Sequence, residues 1–450
     1  MQDNLIFRQD NLTKIIISLA IPAMLGQLAG IIYNLADTYF ISLTDNPPEI
    51  AAVTLCMPFL LVVMSIGSTF GIGCNSMAAR LLGAGQDEDV AKVSCFCLWI
   101  PLTLSIIIGI AGLIFMNPLA VLLGADAENL QYVLEYMKYI LIGAPAFVLS
   151  ASHSNFYRAI GKQKESTAGQ ILGNAINIVL DYLFIIVFGM GVKGAAIATM
   201  IGSVCSVLYY LTVMIRYNHK GGRLLPFNFF RHIPDRKMVV GILKIGIPGG
   251  LLTIILSISN IFFNNYIALY GNTAVAEYGV ANKIYMVPLM LGVGYGQGIC
   301  PLLGFNFGAK DTERLKKSYK LSILYGLIIG AAFFLLFFFT APVTSGLFFR
   351  EPALVAETSA FLRILVIAVP ILYVSNVNNV YFQAIGKAIP SMVIILARNL
   401  ALFIPMVIIF NSLFGLNGLL ASVPVSEYLT IIIGTIMTCT SLRKMSAERT

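Results

Sequence analysis

The sequence predicts an all-α membrane protein, with twelve transmembrane helices in two parallel six-helix repeats. Three observations predict it. Charged residues are too few to cover a water-facing surface, apolar runs long enough to span a bilayer recur twelve times, and the same landmarks return half a chain later.

Of 450 residues, 58% are hydrophobic and 11% charged, against roughly 25% charged in a soluble domain. A bilayer removes that deficit, because helices satisfy their own backbone and lipid needs no polar cover. About 20 apolar residues cross a hydrocarbon core about 30 Å thick. In the first half such runs lie at 14–40, 51–79, 93–116, 132–156, 167–188 and 192–215. In the second they lie at 239–269, 274–303, 318–342, 355–382, 390–411 and 416–440. Only short turns part the fifth from the sixth and the eleventh from the twelfth. The first run is longer than a signal-peptide core and lacks a clear A-x-A cleavage site, so it is expected to stay as a span.

The repeat is read from five pairs in order. Ile21-Pro22 returns as Ile247-Pro248, and Gly71-x-Gly73 as Gly296-x-Gly298. Gly83-Ala84 returns as Gly308-Ala309, Ala159-Ile160-Gly161-Lys162 as Ala384-Ile385-Gly386-Lys387, and Gly191-x-x-Gly194 as Gly415-x-x-Gly418. The shift stays between 224 and 226 residues. An even number of spans per copy makes both copies enter the membrane the same way up, related by an axis along its normal. The organisation is then a first lobe (1–215), a basic linker (216–237), a second lobe (238–442) and a tail (443–450). Two such bundles around a cavity are transporter architecture.

Net charge is +8, and it alternates from loop to loop. One side carries Arg8, Lys14, Arg80, Lys92, Arg158, Lys162, Lys164, the stretch from Arg216 to Lys237, Lys310 to Lys320, Lys387, Arg443, Lys444 and Arg449. The loops opposite hold only Lys193 and Arg350. The positive-inside rule places both termini in the cytoplasm. The excess reports topology and contact with membrane lipid, and does not point to nucleic acid. The seven cysteines all fall within spans and form no CxxC pair, so they are expected to be buried small hydrophobes.

Catalytic chemistry has no visible residues. His153, His219 and His232 lack metal-ligand spacing, and no GxxxxGK[ST] exists to bind ATP. The Gly292-x-Gly294-x-Gly296-x-Gly298 row lies inside a span and reads as close helix packing. No cofactor is implied.

Ionisable groups at depth need a partner or a wet cavity. In the fifth span, Gln170, Asn174, Asn177 and Asp181 are spaced four, three and four, which puts them on one helical face. In the first span Asp37 follows Tyr33 and Asn34, and Pro22 lies about four turns earlier, where it invites a hinge. Asp37 is open to a plain reading as a helix cap, and Asp181 to one as a structural hydrogen bond. The second repeat has Phe263, Leu402 and Met406 near positions equivalent to 37, 177 and 181, so the acidic site belongs to the first half. Its own charges at depth are Lys283, Arg363, Arg398 and Glu427, the last two expected as an interhelical ion pair. A substrate role for that pair stays open. Asn260, Asn264, Asn265, Asn376, Asn378 and Asn379 could line a second polar cavity, though packing across helices serves them equally.

Ile21-Pro22, Ala36-Asp37-Thr38, Ala79 to Gly85, Arg158 to Lys162, Asn177 to Asp181 and Gly191 to Ala196 appear in order along the chain. With the repeat, this pattern resembles the multidrug and toxic compound extrusion (MATE) family, in particular its bacterial DinF-like members. The resemblance implies a 6+6 fold in the inner membrane, a monomer, and efflux of cationic amphipathic compounds against H+ or Na+. It also implies a coupling site of Asp37, Asp181, Asn177, Tyr136 and Thr199, with Tyr139 a near neighbour of Tyr136 at similar depth. Na+ would bind at Asp37 and Asp181, where no other metal is expected. The acids that other branches use in the seventh and tenth helices are not evident, where Asn260, Asn264, Arg363 and an outlying Glu357 stand.

Two carboxylates sharing a partly dry cavity repel, so a proton or a Na+ that neutralises them changes the balance between conformations. Substrate walls are expected from Tyr33, Asn34, Gln170, Asn174, Phe59, Phe262, Tyr266, Tyr285, Met286 and Met290, since aromatic and Met side chains suit varied cations. The alternative is a flippase or exporter for a lipid-linked or specific metabolite substrate, which would call for a cationic cavity.

Overall fold

The computed structural model describes residues 5–44 and 46–447. Arg449 of the tail lies outside them. Ten helices run α1 Leu12–Ser42, α2 Pro47–Gly83, α3 Asp87–Ile114, α4 Leu130–Ala159, α5 Gln163–Val187, α6 Gly191–His219, α7 Arg236–Ala268, α8 Asn272–Gly308, α9 Thr312–Gly346 and α10 Pro352–Ala384. An eleventh segment, Ala388–Met445, has 58 residues. As one rod it would reach about 90 Å, some three bilayer cores. Gly415 breaks it: φ 59° and ψ −141° lie outside the helical region. That turn parts α11 (388–414) from α12 (416–445), and the protein has its twelve spans.

The backbone repeats where the sequence does, and once where it does not. Gly161 and Gly386 share φ near +80°, at 80° and 78°, and Gly191 and Gly415 share 55° and 59°. Gly85 at 73° is matched by Lys310 at 56°. A left-handed lysine costs about 1–2 kcal/mol, yet the turn is kept.

Compactness divides the described chain into Leu25–Leu251 and a second unit of Leu5–Met24 with the residues from Leu252 onward. The divisions fall inside α1 and α7, just beyond Pro22 and Pro248, the matched prolines of the repeat. In the first unit Gly73 of α2 meets the Ile242 carbonyl of α7. In the second, a Cβ on Gly298 of α8 would lie 2.7 Å from the Leu19 carbonyl oxygen and 2.9 Å from the Ala20 Cα of α1. The Gly-x-Gly repeat is therefore a place where backbones touch. Gly298→Ala must push α1 and α8 apart, and is expected to cost about 1–3 kcal/mol. Thermal unfolding in detergent checks it against Gly346→Ala, where no atom lies within 4 Å of the new methyl; equal melting temperatures would refute the contact.

In α8, Gly292 lies against Leu372 and Gly296 against Val380 of α10, so the glycine row serves packing. Three sequence expectations need correction. Lys283 is exposed, since a long stem can carry its charge outward. Arg363 is half-buried, its guanidinium 5.5 Å from the Phe338 ring centroid and donating to the Phe338 carbonyl at 3.3 Å. Cys439 is exposed and Cys205 half-buried, while the other five cysteines are buried.

Candidate functional site

A cavity of about 310 Å³ opens in the first unit among α1, α2, α4, α5 and α6. Helix α1 contributes Gln27, Gly30, Tyr33, Asn34 and Asp37, which recur every three or four residues and share a face. Helix α5 turns its polar stripe the same way, with Gln170, Asn174 and Asn177 on the wall. Tyr136 comes from α4 and Thr199 from α6. Asp181 ends the α-helical part of α5, and the chain widens into a π-helix at Tyr182–Val187 immediately after it. Such widened turns recur at functional sites.

The hydrogen bonds leave an excess of acceptors. Asn177 Nδ2 donates to Thr199 Oγ1 at 3.3 Å, and Thr199 Oγ1 donates to the Ala195 carbonyl at 2.9 Å. Among the described residues, Asn177 Oδ1 is then left without a donor, and so are Asp37 Oδ1 and both carboxylate oxygens of Asp181. Asp37 is 8% exposed and Asp181 fully buried. Asp37 shares the cavity wall with Tyr33 and Tyr136, and Asp181 follows Asn177 of the same wall by one helical turn. Four buried acceptor oxygens without a donor among three residues is an arrangement that a proton or a small cation completes.

Asp37, Asn177, Tyr136, Thr199, Tyr33, Asn34, Gln170 and Asn174 are thus brought to one cavity. Asp181 lies behind its wall, one turn beyond Asn177. Asp37 is no helix cap, because α1 continues to Ser42. Tyr139 packs against the apolar core of the unit instead of lining the cavity. Phe59 joins that core too. Phe262, Tyr266, Tyr285 and Met286 belong to the second unit and line no part of this cavity. Phe262 and Tyr266 pack ring to ring at 5.1 Å, and Tyr285 is buried. Missed from the sequence were Met57 and Met64 on α2 and Ser203 and Ser206 on α6. The methionines stand seven apart on one face, but in an apolar helix that spacing looks like ordinary core.

In the second unit the Arg398–Glu427 ion pair forms, and Arg398 Nη1 also donates to Asn376 Oδ1 at 3.2 Å. Arg398 sits in a π-helical turn, Ala397–Ala401. Asn378 accepts from the Tyr319 hydroxyl at 2.6 Å and donates to Thr435 at 3.1 Å, a bridge between helices. Asn260, Asn264 and Asn265 are exposed.

The MatE family model matches residues 22–183 and again 248–409. The two matches, of 162 residues each, together cover most of the chain and restate its repeat. The chain belongs to the MatE family. Among MATE relatives, the multidrug export protein MepA of Staphylococcus haemolyticus is 30% identical over 421 residues, covering 94% of this chain and 92% of MepA. An outward-facing structure of a multidrug resistance MATE family transporter of the MOP superfamily superposes with TM-score 0.90 at 26% identity, over 99% of both chains. A MOP superfamily transporter from Pyrococcus furiosus, described by the reverse polarity of its binding pocket, matches at 0.91 and 25%, again over 99% of both.

Proposed function

We propose that this MATE protein is a secondary active multidrug efflux antiporter, exporting cationic amphipathic compounds in exchange for H+ or Na+ by alternating access. The observation that carries the reading is the set of unpaired acceptor oxygens on Asp37, Asp181 and Asn177 beside one cavity. The naming of MepA as a multidrug exporter supports the substrate class.

Asp37 faces the cavity and serves as the first acceptor for an incoming ion or an organic cation. Asp181, behind it and without any donor, holds the charge that makes the pair costly when empty. Asn177, oriented by Thr199, turns its carbonyl oxygen to the same ion. Tyr136 and Tyr33 supply hydroxyls and ring faces, and Met57 and Met64 an adaptable apolar wall. An ion and a drug cation compete for the same negative charge, so loading one favours release of the other. Pro22, which interrupts the hydrogen-bond ladder of α1, is where that helix bends as the load changes.

A flippase for a lipid-linked anion is disfavoured, because the cavity wall carries Asp37 and neither Lys nor Arg. We place the protein in the bacterial cytoplasmic membrane, as a monomer with both termini inside. The test is transport of an ethidium-like dye in proteoliposomes under separately imposed pH and Na+ gradients. Dye export is expected under one of the two; none under either would refute the antiport.

A further inference from the structure

We propose that the joint between the repeats is an interfacial membrane anchor, in which residues 227–233 seat in the headgroup region of the leaflet they face and the surrounding basic side chains hold anionic lipid headgroups.

The joint is not a free loop. Leu224 and Leu225 are buried, and Asn218 Nδ2 donates to the Leu225 carbonyl at 2.7 Å. Helix α3 then takes hold of it: Trp99 Nε1 donates to the Phe227 carbonyl at 2.9 Å, and Cys95 Sγ to the Pro226 carbonyl at 3.1 Å. Asn228 caps the short 3-10 helix Phe229–Arg231 by accepting from the Arg231 amide at 3.2 Å. These bonds fix the direction of the side chains that follow.

What they present is apolar. Phe230 is 88% exposed and Ile233 57%. Holding a pinned phenylalanine in water is unfavourable, and exposed aromatic surface rimmed by polar groups marks a contact site.

The depth of the contact is set by Trp99. It is the one tryptophan of the chain, partly exposed on the side of a span, and tryptophan prefers the interface between headgroups and acyl chains. The acidic start of α3, Asp87 to Asp89, lies ten or more residues earlier, about 15 Å along the helix. Pro226 and Phe227 are therefore held against α3 at Cys95 and Trp99, well inside its charged end. A loop meant for water has no reason to lie there.

Charge identifies the lipid. Lys220, Arg223, Arg231, Arg236 and Lys237 are all exposed around the apolar tip. The acid among them, Asp235, is occupied at 2.7 Å by the Met238 amide. Clustered basic groups beside an inserted aromatic bind anionic headgroups.

The full-length protein tests this, with Cys439→Ser to remove the exposed native thiol and Phe230→Cys to carry an NBD fluorophore. In vesicles of phosphatidylcholine with phosphatidylglycerol, NBD at 230 is expected to emit to the blue of the same label on Glu313→Cys, at the exposed start of helix α9. It should also be quenched by iodide about twofold less or weaker still. Removing phosphatidylglycerol should shift the emission back toward the red. Water-like emission and full iodide quenching at 230 would overturn the anchor. That outcome would leave the tip to a protein partner. Identical spectra with and without phosphatidylglycerol would overturn the anionic-headgroup assignment.

Discussion

Asp181→Asn is expected to abolish export, by at least about tenfold, while leaving the protein folded. Asparagine has nearly the same shape as aspartate, so the buried site beyond Asn177 is not emptied. It has lost the charge, however, and one of its atoms is now a donor. Asp181 is fully buried with both oxygens unpaired, so no existing hydrogen bond is broken by the change, and folding loses little. What disappears is the reason for an ion to enter. Asp37→Asn should act in the same direction, since Asp37 is the acceptor on the cavity wall. If the two acids work as one ion-exchanging unit, the double variant is no worse than either single one, because residues acting together are not additive. Dye efflux and drug resistance in a sensitive host, at matched membrane expression, provide the measurement. Wild-type export from either single variant would remove these acids from the coupling, and strictly multiplying defects would show two independent sites.

Most of this arrangement was legible in the sequence because polar residues inside lipid-spanning helices have few places to go. The stripe from Gln170 to Asp181 has one face to occupy, and a face of amides and a carboxylate cannot meet acyl chains. The half-chain repeat was legible for a related reason: turns that require a left-handed backbone keep their glycines, as at Gly161 and Gly386. Lys310 shows the limit, since its turn is conserved in shape while the residue that would have signalled it is gone. Apolar walls were not legible. Phe262, Tyr266 and Met57 look alike in sequence, and only packing tells that the first two pair with each other while Met57 lines the cavity. Lys283 likewise lies within an apolar run but turns outward, which the length of the run could not reveal.

The second large effect lies at Arg398 and Glu427, where single and double substitutions should diverge. Glu427 is 5% exposed, and its partner is the guanidinium of Arg398. Among the described residues, Glu427→Leu leaves a guanidinium at depth with Asn376 Oδ1 alone to meet it, and Arg398→Met leaves a carboxylate without its charge partner. Each single change is expected to cost about 3–5 kcal/mol, because an uncompensated buried charge is what the fold then has to hold. The double variant removes both charges and keeps the volume apolar. It is expected to regain most of that loss, since the native network is itself incomplete: Glu427 Oε2 and Asn376 Nδ2 have no partner among the described residues. A double-mutant cycle in detergent, read from unfolding midpoints, gives the coupling directly. Singles as stable as the parent would show that the pair holds nothing. A double variant as unstable as either single would show that the charges serve beyond each other. Export by the stable double variant decides the remaining question, for a pair that only joins α11 to α12 can be replaced by packing, and one that meets a substrate cannot.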